Sequence, residues 1–474
     1  MSEKKYPVKR GGEYELVIED LAFGGKGVAR VENYVIFVKD ALPGDRVRAR
    51  IGKRKKDYAE AYLLEILQSS PYRVEAPCNY FKWCGGCTWQ NMRYEHQLYF
   101  KRKIVQDALM RIGAQENIRV NEVLPSEKIF AYRNKMEFSF SDRRWLLPEE
   151  LGQPEADKTF ALGLHVPGTF DKILHVDHCL LQTEIANEIL RFTANWLKQK
   201  GLKPYGIRSH EGFLRFLIIR QSAFNDEIMV NIVTGYEDAR ALIPWAEELR
   251  QRFPQVVSVV NNINTRLAQI AIGESEILLA GRAYIRDKIG NFVFNISANS
   301  FFQTNNAQAE RLYEVTLNFA QIDEKSVVWD LYAGTGTISL FLAQKAKEVI
   351  GFEVVDSAVA DAWQNAKEHQ VDNVRFVEGD LLKTMHQISP EPNIIVADPP
   401  RSGMHEKVLR LINHLCPERM VYVSCNPTTL ARDLKILSER FEVQQVQPVD
   451  MFPQTYHIET VVQLKRKEKH VSTR

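Results

Sequence analysis

The chain runs to 474 residues, which at about 150 residues per domain leaves room for roughly three domains with substantial cores and excludes a minimal binding module. A composition of 45% hydrophobic, 10% aromatic and 26% charged residues is that of a folded soluble protein, not a collagen-like, disordered or mucin-like one. With 62 basic against 60 acidic side chains the net charge is only +2, so a polyanionic partner must be met by local clusters.

Six cysteines are too few for a disulfide-stapled secreted scaffold, and the polar, lysine-bearing start has no apolar signal core. The expected location is the reducing cytoplasm. The uncharged stretch 331–344 contains two glycines and falls short of the ~20 apolar residues that cross a bilayer, so no membrane association is expected.

Residues 13–67 alternate in short segments that put Tyr14, Leu16 and Ile18, then Tyr34, Ile36 and Val38, then Val47, Ala49 and Ile51 on one face, with turns at Gly24-Gly25 and Pro43-Gly44. This predicts a small OB-like β-barrel. Its stretch 46–56 holds seven basic residues and no acid, either the footprint of a phosphate-backbone contact or a solvated edge protected by charge.

After Pro71 comes a cysteine segment, Cys78, Cys84 and Cys87 spaced C-x5-C-x2-C, with Cys179 92 positions further on. Four thiolates satisfy either zinc or an iron–sulfur cluster, and the donor chemistry does not separate the two. His175 and His178 flank Cys179 and are alternative zinc donors, while Gly85-Gly86 lets backbone wrap closely around a bound centre. An amphipathic helix follows, at about 94–112 and ended by Gly113 by its own periodicity, and as a helix of 91–124 in the domain plan, where it is expected to pack on the catalytic domain.

Aromatic and basic residues interleave at Tyr80, Lys82, Trp83, Arg93, Tyr94, Tyr99, Lys101, Arg102 and Lys103, and again in Tyr132-Arg133-Asn134-Lys135, as RNA stacking with phosphate neutralisation requires. The solvated face of a helix is the alternative, and for Lys101 to Lys103 the preferred one. From 130 to about 282, strand-like runs at 136–140, 213–220 and 228–233 alternate with a helical stretch at 184–200, as in an α+β domain, and the polar stretch 142–158 reads as an exposed loop.

From about Ser326 the pattern becomes a regular strand–helix alternation that predicts a doubly wound parallel sheet, whose ligand crevice lies beyond the carboxyl ends of the strands. The first strand runs into Asp330-Leu331-Tyr332-Ala333-Gly334-Thr335-Gly336-Thr337. The third position of a dinucleotide fingerprint is Ser339, and no Gly-Lys-Ser/Thr follows, so neither pyrophosphate recognition nor a P-loop is supported. Acids follow successive strands: Glu353, placed to accept from ribose hydroxyls, then Asp380 in Glu378-Gly379-Asp380, and Asp398 in Asp398-Pro399-Pro400-Arg401. Asp380 is equally placed to cap a helix. Carboxylates around a nucleotide turn without a pyrophosphate fingerprint favour S-adenosylmethionine, which is cationic and carries no phosphate.

The fifth strand delivers Ser424-Cys425-Asn426-Pro427 to the same rim. A thiolate there would add to C6 of a uracil and make C5 carbanion-like, and a carboxylate would then remove the C5 proton. Glu459, in His457-Ile458-Glu459-Thr460, is the candidate base, whereas Cys416 reads as an inert buried strand-end thiol.

Over nearly its whole length the chain resembles the S-adenosylmethionine-dependent RNA uridine C5-methyltransferases with an N-terminal TRAM barrel. The marks are Phe301-Phe302-Gln303-Thr304-Asn305, the 330–336 turn, Asp398-Pro399-Pro400-Arg401, Ser424-Cys425-Asn426-Pro427 and His457-Ile458-Glu459-Thr460. The resemblance implies a Rossmann-like methyltransferase sheet, with Gln303, Tyr332, Glu353, Asp398 and, as a looser match, Asp380 around the cofactor. It makes Cys425 the nucleophile and Glu459 the proton acceptor. Family members with this cysteine spacing resemble [4Fe–4S] proteins, which implies such a cluster on Cys78, Cys84, Cys87 and Cys179. Gln303 rests on the resemblance alone.

The expected organisation is a TRAM barrel at 1–70, a central iron–sulfur domain at 71–292 and a methyltransferase domain at 293–474. The expected substrate is a uridine in structured RNA, in particular 23S rRNA, turned out of its stack, with no obligate protein partner. The alternatives are a tRNA uridine C5-methyltransferase and, from another class, a non-catalytic RNA chaperone or ribosome-assembly factor. The intact Cys425 and Glu459 argue against the latter, and the absence of a Pro-Cys nucleophile loop argues against a cytosine enzyme.

Overall fold

The computed structural model describes residues 6–114 and 118–468. Residues 1–5 of the lysine-bearing start and 115–117 of the 91–124 stretch lie outside the described residues. Two compact units form: one of Met1–Pro77, Thr88–Ser126 and Arg311–Arg474, the other of Cys78–Cys87 and Glu127–Glu310.

The first unit opens with a six-stranded barrel-like sheet in the order Glu13–Val17, Arg46–Arg54, Tyr58–Gln68, Tyr34–Val38, Gly27–Val31, Asp20–Leu21. Strand alternation sends Leu16, Ile18, Ile36, Val38, Val47, Ala49 and Ile51 into one core, with Tyr14 packed at its margin. The outward residues of the basic strand meet acids across the sheet. Arg46 pairs with Glu15 at 2.8 Å, Arg50 with Glu13 at 2.7 Å, and Arg48 with Glu65. The strand is not the solvated edge expected, since Glu13–Val17 and Tyr58–Gln68 flank it, and these three cations are neutralised within the fold. Beyond them, Lys53, Lys55 and Lys56 are exposed and, among the described residues, form no ion pair.

Helix α1 (Tyr94–Arg111) ends where the Ile112 N–H bonds the Ala108 carbonyl, so it stops well short of residue 124. The rest of this unit is a seven-stranded sheet. Its strands are β1 (Val327–Leu331), β2 (Glu348–Glu353), β3 (Val374–Glu378), β4 (Ile394–Ala397), β5 (Arg419–Ser424), β6 (Phe441–Val449) and β7 (Glu459–Arg466), in the order β3-β2-β1-β4-β5-β7-β6. The first five are parallel and β7 is antiparallel to both neighbours, so the sheet is mixed at one edge. The crossover helices are α2 (Thr337–Ala343), α3 (Asp356–Glu368), α4 (Glu406–Leu415) and α5 (Pro427–Leu437).

Runs such as Ile394-Ile395-Val396 are apolar on both faces because helices cover both sides of the sheet. Trp329, Ile350, Ile395, Tyr422 and Leu434 are fully buried in one core, and each apolar side chain so buried contributes roughly 1.5–3 kcal/mol. Helix α1 packs on α5 and β6. Leu21 and Leu42 of the barrel, Trp89, and Phe100 and Ile104 of α1 form a smaller core, against which Tyr456 packs.

The second unit is an eight-stranded sheet centred on Lys135–Ser141, Leu214–Gln221, Ile228–Thr234 and Val256–Ile263. The last two pair in parallel, joined by the helix Ala239–Arg252, a crossover the sequence pattern did not reveal. The helix Glu184–Gln199 matches the expected stretch to within a residue. The expected loop 142–158 carries a short strand, Arg144–Trp145, and a 3-10 turn, Pro148–Glu150, tied by the Arg144–Glu150 pair.

Candidate active site

The rim beyond the carboxyl ends of β1, β2, β4 and β5 collects the polar residues of the first unit. The turn after β1 is built on left-handed backbone, with φ of +68° at Tyr332, +56° at Gly334 and +78° at Gly336. A Cβ on Gly336 would lie 2.7 Å from the Phe376 ring, so only glycine fits there, whereas Gly334 faces open space. Ser339 donates through Oγ to Asp330 Oδ2 at 2.5 Å, so the residue that breaks the dinucleotide fingerprint holds a buried aspartate instead. The other oxygen of Asp330, Oδ1, is buried with no hydrogen-bond partner.

Glu353 accepts from the Gly334 N–H at 2.9 Å through Oε2, and from Val354 and Val355 at 2.8 and 2.9 Å through Oε1, so the carboxylate expected for ribose also pins the glycine turn. Tyr332, Phe352, Glu353, Asp380, Leu382 and His405 line a cavity of about 240 Å³. Asp380 both lines it and caps the short helix Leu381–Thr384, accepting from Leu382 N–H at 2.8 Å. Burial raises Tyr332 to about 12, with Asp433 and Asp380 adding to the effect.

Two loops meet at the nucleophile. Asn426 donates through Nδ2 to the Arg401 carbonyl at 3.0 Å, and Thr429 Oγ1 donates to the same oxygen at 3.3 Å. This couples Asp398-Pro399-Pro400-Arg401 to Ser424-Cys425-Asn426-Pro427. Asn426 Oδ1 caps α5 by accepting from Thr428 N–H at 3.0 Å, and Pro427 occupies the first helical turn, where its missing N–H is no loss. Below them Asp433 accepts from the Tyr422 hydroxyl at 2.7 Å and the Met404 N–H at 2.8 Å.

The site is overloaded with negative charge. Burial pushes Asp398 up to about 7. Asp330 also rises to about 7, through burial and the charges of Asp398 and Glu353. Glu459, the first residue of β7, rises to about 8 through burial and then Asp398. Cys425 rises to about 11 through burial, Glu459 and Asp398. Arg401 opposes both of the last two shifts. That role escaped the sequence reading, which quoted Arg401 only as part of a motif.

The expected residues thus fall into two sets: Tyr332, Glu353 and Asp380 line the cavity, while Cys425, Glu459 and Asp398 are coupled by charge. Gln303 belongs to the second unit, where its carbonyl accepts from Asn134 Nδ2 at 2.9 Å. Cys416 is not a strand-end thiol. It caps α4 in left-handed backbone, φ +48°, and is half-buried.

The interleaved basic residues of α1 also need correction. Lys101 is fully buried against Asp450 at 2.6 Å, Lys103 pairs with Asp107 at 2.9 Å and with Asp20, and Arg102 donates to the Val120 carbonyl at 3.0 Å. They fasten the first unit together, whereas Tyr99 is 57% exposed.

In the second unit, burial takes Cys84 to about 12 with Cys179 and Cys78 adding to the effect, and Cys78 adds to the burial that raises Cys179. The Gly86 N–H donates to Cys84 Sγ at 3.3 Å. His175 accepts from Leu162 N–H at 3.1 Å and bonds Asp177 at 3.3 Å, while His178 bonds Glu184 at 2.9 Å, so both imidazoles are engaged elsewhere. Among the described residues no group of three or more His, Cys, Asp or Glu side chains is close enough to hold a metal ion.

A family model described as tRNA (Uracil-5-)-methyltransferase matches residues 245–467, and a TRAM domain model matches residues 7–64. An RNA methyltransferase of Chlorobaculum tepidum is 44% identical, covering 99% of both chains. One of Clostridium acetobutylicum is 38% identical over 98% of this chain and 100% of its own. Among solved structures, the Pyrococcus abyssi tRNA (uracil-54, C5)-methyltransferase in complex with S-adenosyl-L-homocysteine is 27% identical. It covers 95% of this chain and 100% of its own, with a TM-score of 0.73. The chain belongs to the S-adenosylmethionine-dependent RNA uracil-C5 methyltransferases that carry a TRAM domain. Among the described residues no helix is long and apolar enough to cross a membrane.

Proposed function

We propose that Cys425 and Glu459 carry the chemistry of uridine C5-methylation, on a uridine of 23S rRNA. The observation that supports this is the convergence of Cys425, Glu459, Asp398 and Arg401 at one rim, each felt electrostatically by the thiol. Tyr332, Glu353, Asp380 and Asp398 fit a cationic cofactor, because the charges of Asp398 and Glu353 add to the burial that raises Asp330, and Asp330 Oδ1 is a buried acceptor without a donor. S-adenosylmethionine supplies an activated methyl group and leaves as S-adenosylhomocysteine.

Cys425, as thiolate, forms the S–C6 bond to the uracil, and the displaced C5=C6 electron pair takes up the methyl group at C5. Glu459 accepts the C5 proton, the C5–H pair re-forms C5=C6, and the C6–S pair returns to Cys425. Arg401 favours the thiolate that begins this sequence, and the Asn426 and Thr429 bonds to its carbonyl keep the two loops in register.

The barrel and the cysteine segment favour ribosomal RNA. Lys53, Lys55 and Lys56 offer the barrel's uncompensated charge to phosphates. The C-x5-C-x2-C spacing of Cys78, Cys84 and Cys87, with Cys179 in the same unit and both neighbouring imidazoles engaged elsewhere, supports an all-thiolate [4Fe–4S] site on these four cysteines. Anaerobically purified protein is then brown, with iron and sulfide near four each per chain, and stoichiometric zinc overturns this reading. The Pyrococcus abyssi neighbour acts on tRNA, and its full-length match makes tRNA the second reading. Mapping 5-methyluridine in rRNA and tRNA from a strain lacking this protein decides between them. Loss from 23S rRNA alone is expected, and loss confined to tRNA overturns the ribosomal assignment.

A further inference from the structure

Helix α1 presents Tyr94, Gln97 and Lys101 at i, i+3 and i+7, a single face. Such spacing is usually apolar when it faces a core, yet Gln97 and Lys101 are both 0% exposed. All three reach one segment, residues 450–454, just before β7. Lys101 Nζ contacts Asp450 Oδ1 at 2.6 Å and donates to the Phe452 carbonyl at 3.1 Å. The Tyr94 hydroxyl donates to Asp450 Oδ2 at 2.8 Å and accepts from the Ser126 N–H at 2.8 Å.

Gln97 makes a two-way amide pair with Gln454. Its Nε2 donates to Gln454 Oε1 and its Oε1 accepts from Gln454 N–H, both at 3.0 Å. Gln454 sits in left-handed backbone, φ +68°, and its carbonyl accepts from the Thr88 and Trp89 N–H groups at 2.9 and 3.0 Å. The bonding continues toward the base. Thr455 Oγ1 donates to the Phe452 carbonyl at 2.8 Å and accepts from His457 N–H at 3.2 Å, two residues short of Glu459.

A buried Lys–Asp pair is a poor stabiliser, because desolvation offsets most of its attraction, but it fixes geometry where apolar packing would tolerate slippage. Residues 450–458 have no repeating backbone pattern to set their path, so these side-chain bonds, with the backbone bonds at Gln454, set it. We infer that Lys101, with Gln97, is a positioning residue for proton removal from C5: it holds the 450–457 segment so that Glu459 enters β7 at the place where the C5 proton is delivered. This rests on the assignment of Glu459 as the base.

The test follows methyl transfer and product release separately. The probe is total RNA from a strain lacking this protein, with methyl-tritiated S-adenosylmethionine, under single-turnover conditions. In Glu459→Gln, label is expected to enter RNA and remain covalently bound to protein. If it does not, the assignment of the base fails. Given that result, Lys101→Met combined with Asp450→Asn, an isosteric uncharged pair, is expected to transfer methyl within threefold of the wild-type rate but to release labelled RNA at least tenfold more slowly. Lys101→Arg restores release in part. Thr455→Val, which removes the Thr455 bonds to the Phe452 carbonyl and the His457 N–H, is expected to show the same split and serves if the double variant does not fold. Transfer and release falling together, or neither changing, in a folded variant overturns the positioning role while leaving Glu459 as the base.

Discussion

With the Cys425 thiol at about 11, only about one molecule in ten thousand carries the thiolate at pH 7, so nearby positive charge governs its reactivity. Arg401 is the opposing charge in the free protein. Arg401→Ala should slow iodoacetamide labelling of Cys425 about three- to tenfold at pH 8, read by mass spectrometry, and unchanged labelling would show that the guanidinium is not felt. Glu459 must be ionised to accept the C5 proton, and its ordinary value is raised to about 8. Product release should therefore fall about tenfold per pH unit below that value and level off above it. Cys425 could be placed at the crevice from the sequence because it follows a strand, where the fold class puts the ligand, whereas Glu459 opens β7 and was singled out by its His457-Ile458-Glu459-Thr460 motif. Arg401 was not, because the reach of a charge is set by packing. Lys101 was misread because its partner lies 349 residues away, and a lysine on a helix is ordinarily solvated.

The glycine turn after β1 shows how one element shapes the site. Gly336 and Gly334 both take positive φ, but only at Gly336 does a side chain meet an obstacle, the Phe376 ring at 2.7 Å and Ala362 at 3.0 Å. Gly336→Ala should cost about 1–3 kcal/mol in urea unfolding, with Gly334→Ala at the low end of that range, since it carries backbone strain alone. Equal losses would mean that the ring yields. The strands β1 to β5 were legible because β-branched runs alternate with helical spacing. The antiparallel direction of β7 and its place between β5 and β6 were not, since apolar runs carry no sign of direction. The same blindness hid the crossover helix Ala239–Arg252, whose Pro244 reads as a breaker.

Over the whole molecule, three buried acids tie stability to pH. Asp330, Asp398 and Glu459 have folded values near 7, 7 and 8, above their ordinary 3.8, 3.8 and 4.5. The folded state holds these protons more tightly than the unfolded chain, so their contribution is fully present below the unfolded values and is lost as pH rises through 7 to 8. A bound cation relieves that loss. S-adenosylmethionine should therefore raise the melting temperature more at pH 8 than at pH 5.5, and Glu459→Gln should flatten the pH dependence of the ligand-free protein. An equal gain at both values would show that the acids do not face the cofactor. Chain order suggested boundaries at 70 and 292, but the compact units interleave, with Cys78–Cys87 joining Glu127–Glu310, because spatial neighbours need not be sequence neighbours. The central claim, a covalent bond from Cys425 to C6 of the uridine, is tested most directly with 5-fluorouridine-containing RNA and S-adenosylmethionine. Fluorine in place of the C5 proton leaves Glu459 nothing to remove, so the S–C6 bond persists. An RNA–protein band that survives denaturing electrophoresis in the wild type and vanishes in Cys425→Ala is the predicted result. No band, or one that persists without the thiol, would contradict it.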